Sequence, residues 1–90
     1  MTTIIKGKVV NGVGTPQIGT LVQADKIGGP GNGGQALAGS DGVFSISLSG
    51  VTSSTSYKVF PPPEGFASPS SVNTTINSGQ TVDVGSFVTP

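Results

Sequence analysis

The chain has 90 residues, of which only 9% are charged; its formal net charge is zero, and it contains neither Cys nor His. That excludes disulfides and the usual ligands of zinc, haem and iron–sulfur clusters. Four scattered Lys and no Arg cannot build a phosphate-binding footprint, so nucleic acid is not an expected partner.

The first element reads as a strand over residues 3–10, with Ile5, Gly7 and Val9 on one face and Ile4, Lys6, Lys8 and Val10 on the other. No apolar run of signal-peptide length follows a basic start. This fits a chain used where it is made, or one whose leader has been removed. Residues 11–19 form a turn-rich link around Pro16. A second strand over residues 20–27 puts Thr20, Val22 and Ala24 on one side and Gln23 and Asp25 on the other. Residues 28–34, with five Gly and one Pro, read as an exposed, mobile loop. The Gly-Lys-Ser/Thr and helix of a nucleotide-binding P-loop are missing there.

A short strand is expected over residues 35–39, and the Asp41-Gly42 step after it reads as a hairpin turn. Asp41 has the place of a turn former. Residues 43–49 alternate most clearly, with Phe44, Ile46 and Leu48 inward and Ser45 and Ser47 outward. A polar link over residues 50–55 leads to a strand over residues 57–60, with Tyr57 and Val59 on one face. Pro61, Pro62 and Pro63 end that strand, because proline removes ladder donors. Residues 64–71 are irregular. A strand over residues 70–77 contains Val72 and Ile76, and the triplet Asn73-Thr74-Thr75 matches an N-glycosylation sequon, common by chance in Thr-rich chains. The last strand, residues 81–88, places Val82 and Val84 inward, with a bulge at Gly85 before Phe87.

Seven short alternating strands with a turn about every ten residues predict one all-β domain over residues 1–90, a Greek-key sandwich. Its expected core is Phe44, Ile46, Leu48, Tyr57, Val59, Val22, Val9 and Val84. No segment approaches the roughly 20 apolar residues of a membrane span, so no membrane association is expected.

The ordered set Gly7-Lys8-Val9, Gly14-Thr15-Pro16, Gly19-Thr20-Leu21-Val22, Ser40-Asp41-Gly42-Val43-Phe44, Tyr57-Lys58-Val59 and Gly65-Phe66 resembles the carboxypeptidase-regulatory-like domains. It lacks one residue between Asp and Gly in the family's Asp-x-Gly step. The resemblance covers most of the chain. It implies an Ig-like/transthyretin-like sandwich and a non-catalytic role, since domains of that family occur beside enzymes, in surface proteins and in phage virions.

The chemistry of the residues points the same way. A Ser nucleophile needs a general base, and without His only Lys6, Lys8, Lys26 or Lys58 could serve, with no Ser-x-x-Lys motif present. Four acidic residues, mostly at turns or strand faces, make a paired-carboxylate hydrolase improbable. Asp25 or Asp41 alone offers too few carboxylates for a calcium site. No enzymatic activity, metal or cofactor is therefore expected. A nearly uncharged surface has little electrostatic protection against association. The expected role is a virion structural protein, a capsid decoration or cement protein that binds capsid or other virion subunits, with room for homo-oligomers on the particle. The alternative is an adhesion or glycan-binding module of a bacterial surface or secreted protein, located outside the cell. Partner binding is assigned to outward apolar residues and the proline run: Ile4, Leu21, Phe60, Pro61, Pro62 and Pro63.

Overall fold

A computed structural model of the chain describes residues 2–28, 32–51 and 54–90. Seven strands form: β1 (Thr3–Asn11), β2 (Leu21–Lys26), β3 (Asn32–Leu37), β4 (Val43–Leu48), β5 (Thr55–Phe60), β6 (Val72–Ile76) and β7 (Thr81–Thr89). They make a three-stranded sheet in the order β4-β1-β7 and a four-stranded sheet in the order β3-β2-β5-β6. All neighbours are antiparallel except β1 and β7, which run parallel. The protein is thus the all-β sandwich of seven strands in two sheets that the alternation predicts, as the family resemblance also implied.

Period-two alternation decides which side chains enter the core. β4 is the cleanest case, with Phe44, Ile46 and Leu48 buried and Val43, Ser45 and Ser47 exposed. Ile5 and Val9 of β1, Val22 and Ala24 of β2, Tyr57 and Val59 of β5, Ile76 of β6 and Phe87 of β7 complete one core cluster. Each large apolar side chain buried this way contributes about 1.5–3 kcal/mol. Phe44 and Phe87 meet in the cluster with ring centroids 6.2 Å apart and planes tilted by 41°. Val84 is only half-buried at its edge, a correction to its expected full burial. Sheet-to-sheet contact is closer on the β3/β4 side than on the β6/β7 side, where Val84 sits.

The expected bulge is present. Lys6 pairs with Asp83 and Lys8 with Ser86, so Val84 and Gly85 together oppose Gly7. Gly85 carries the positive φ, +85°, that such a bulge assigns to glycine.

Two expectations are corrected. Within the loop expected over residues 28–34, β3 already begins at Asn32; residues 29–31 lie outside the described residues. Gly33 and Gly34 are half-buried strand residues whose missing side chains let other groups come close. A Cβ at Gly33 would stand 2.6 Å from the Ala24 carbonyl oxygen and 2.6 Å from Tyr57 Cε1. Glycine here serves packing, not chain freedom.

The Asp41-Gly42 step is also not a hairpin. β3 and β4 lie in different sheets, so the turn carries the chain across the sandwich. Its local geometry is still that of a tight turn. The Gly42 N–H donates to the Gly39 carbonyl, the Gly39 N–H to the Val43 carbonyl, and the Val43 N–H to Asp41 Oδ1 at 3.2 Å. Turn chemistry is local, and the choice of sheet partner is not.

Candidate binding surface

The strand directions sort the connections onto two ends. The β1–β2 link (residues 12–20), the β3–β4 link (38–42), the β5–β6 link (61–71) and the C-terminal end of β7 share one end. Backbone hydrogen bonds join these pieces. Gly19 N–H donates to the Ala38 carbonyl, and Ala38 N–H to the Thr20 carbonyl. Gln17 N–H donates to the Val9 carbonyl, and Ser68 and Val88 exchange two bonds of 2.8 and 2.9 Å. The prolines among the described residues, Pro16, Pro61, Pro62, Pro63, Pro69 and Pro90, all lie at this end. Proline fixes φ and lowers the entropy of the unbound loops.

This end also gathers the exposed apolar side chains. Among the described residues, seven large hydrophobic side chains are exposed. Six of them, Val13, Ile18, Leu37, Val43, Phe66 and Val88, belong to this end; Ile27 is at the other. Val13 is 86%, Ile18 70% and Leu37 64% exposed. Isolated exposed apolar residues are ordinary; here six gather at one end, with Leu37 and Val43 on strands of opposite sheets.

Charge at the same end is already engaged. Asp41 accepts from the Val43 N–H, and Glu64 Oε1 pairs with Lys58 Nζ at 3.0 Å. Lys58 Nζ also stands 5.9 Å from the centre of the Phe60 ring, within cation–π range. The surface therefore offers apolar contact and backbone hydrogen bonding, with few charges among its described residues.

The structure separates the six residues that the sequence assigned to partner binding. Leu21 starts β2 at the loop end, half-buried, beside its register partner Leu37. Pro62 is half-buried and Pro63 exposed at the same end. Phe60, at 9% exposure, and the fully buried Pro61 are corrections: the protein itself covers them, leaving little for a partner to touch. Ile4, half-buried, lies at the opposite end, where its N–H donates to the Gln80 carbonyl.

The sequence reading missed Val13, Ile18, Leu37, Val43, Phe66 and Val88. Two signals were available. Val13, Ile18 and Phe66 stand in Gly- and Pro-rich links where no strand can turn them inward. Leu37 and Val43 are out of phase with the buried Ala38 and Phe44.

No family model and no curated protein matches the chain. Among solved structures, a chain from work on the Caf1A usher C-terminal domain, whose conserved surface hydrophobic clusters are important for F1 antigen assembly, is similar. The similarity covers 96% of this chain and 97% of that one, at 10% identity and a TM-score of 0.44. The fold assignment rests on the strand order and register described above.

Proposed function

We propose that this chain is a non-catalytic protein-binding module that docks end-on, through its loop end, onto the subunits of a larger surface assembly. One observation carries this reading: among the described residues, six of the seven large exposed apolar side chains lie at one end. Its links, rich in proline and tied together by hydrogen bonds, are organised before binding, which lowers the entropy cost of association. A virion shell, decorated by such a module, is the setting proposed from the sequence; a bacterial surface structure is the alternative. Both present repeated protein subunits to a small neutral domain. Docking adds apparent stability by mass action, about 2.7 kcal/mol when the partner stands at a hundredfold its dissociation constant.

The test introduces a photocrosslinking residue at Ile18 in the full chain and, separately, at Ile27 on the opposite end. Particle and cell-envelope fractions of the producing culture are then irradiated. A crosslink from position 18 to one abundant protein, and none from position 27, is the expected result. The fraction that holds the adduct distinguishes shell from cell surface. Crosslinks from position 27 with none from position 18 would overturn end-on docking.

A further inference from the structure

Three of the eight charged residues, Lys6, Lys8 and Asp83, line one shallow depression of about 290 Å³ on the outer face of the three-stranded sheet. Gly7, Gly85, Ser86 and Val43 complete it. The register explains the grouping. Lys6 lies between Ser45 and Asp83 across the sheet, and Lys8 lies between Val43 and Ser86. The bulge opens the space, because a Cβ at Gly85 would have no atom within 4 Å.

The ammonium groups are unfilled. Lys58–Glu64 is the ion pair among the described residues, and neither Lys6 nor Lys8 has one. Asp83 is the register partner of Lys6, yet its Oδ1 accepts the Gly85 N–H at 2.8 Å instead. Two like charges two residues apart on one strand repel each other mildly and gain from a shared anion. The lining charge is +2 from the lysines and −1 from Asp83, a net +1. That matches a single carboxylate better than a doubly charged phosphate. Asp83 and Ser86 line the same depression and add hydrogen-bonding oxygens to it, and the volume lies just below the usual range of ligand sites. We propose that this depression binds a hydroxy-carboxylate, one sugar-acid unit, with its carboxylate between Lys6 and Lys8 and its hydroxyls toward Asp83 and Ser86.

The test uses the isolated chain, free of any protein partner, so its failure leaves end-on docking untouched. Backbone amide resonances are followed while glucuronate, glucose or inorganic phosphate is added at constant ionic strength. Glucuronate should give saturable shifts at Gly7, Gly85 and Ser86, and glucose none. Lys6→Gln and Lys8→Gln should each weaken glucuronate binding about fivefold, the scale of one exposed charge contact. Asp83→Asn should shift the preference toward phosphate by a similar factor, a readout independent of whether the lysine variants fold. Absent or non-saturable shifts with glucuronate, equal binding of glucose, or affinity unchanged in both lysine variants would overturn the site. Phosphate binding tighter than glucuronate in the unaltered chain would overturn the charge match on which the ligand class rests.

Discussion

Gly7 and Phe44 are register partners on β1 and β4, and the Phe44 ring fills the space that a side chain at Gly7 would need. A Cβ at Gly7 would stand 2.6 Å from Phe44 Cζ and 2.7 Å from the Gly85 carbonyl oxygen. The ring could shift, but the backbone oxygen of the bulge cannot move without disturbing the β1–β7 pairing. The two residues are therefore one packing unit, sensitive to change from either side.

Phe44→Ala should destabilise the protein by about 3–5 kcal/mol, the usual cost of emptying a phenylalanine site in a core. Gly7→Ala should cost about 1–3 kcal/mol through overpacking. Urea denaturation of the two variants checks both values. A loss below about 0.5 kcal/mol for Phe44→Ala would be a surface-like result and would contradict its place in the core.

Two glycines should respond with opposite signs. Gly33→Ala meets the Ala24 carbonyl and the Tyr57 ring at 2.6 Å and should destabilise by about 1–3 kcal/mol. Gly12→Ala meets nothing within 4 Å, and its backbone is outside the left-handed region. By restricting the unfolded chain it should be neutral or stabilise by up to about 1 kcal/mol. Thermal midpoints of the pair decide the matter: equal shifts would mean that close packing is not what glycine provides at position 33.

The Thr89 hydroxyl is buried without a hydrogen-bond partner. Such a group carries its desolvation cost uncompensated. Thr89→Val keeps the shape and removes the hydroxyl, so stability should rise by about 1 kcal/mol. A decrease on chemical denaturation would show that the hydroxyl is satisfied in solution.

The combined variant Val13→Ser, Ile18→Ser, Leu37→Ser should fold with a stability within about 0.5 kcal/mol per site of the original, because these side chains are exposed. It should nonetheless be lost from the assembly to which the unaltered chain stays bound. Retention of the unaltered chain should depend weakly on salt, since screening acts on exposed charges and the loop end carries few of them. Sedimentation of particles at low and high ionic strength reads both effects. Release of the unaltered chain as salt rises through the physiological range would point to an electrostatic interface elsewhere.

Most of what depends on local periodicity was legible in the sequence. Alternation marked the strands and placed Phe44, Ile46, Leu48, Tyr57 and Val59 inward, the position of Gly85 announced the bulge, and Asp41 behaved as a turn former. These features follow from each residue's own backbone preferences and its nearest neighbours. Sheet membership was not legible, because pairing is a long-range choice. Nothing near Asp41 states that β3 joins β2 while β4 joins β1. The same holds for Gly33, which reads as loop by composition and becomes a packing glycine only once Ala24 and Tyr57 are brought against it. The loop-end surface is of this kind too. Val13, Leu37 and Phe66 are far apart along the chain, and only the alternating direction of successive strands in the folded sandwich brings their links to one end of the molecule. Side-chain phase is set two residues at a time, whereas a surface is assembled by the whole fold.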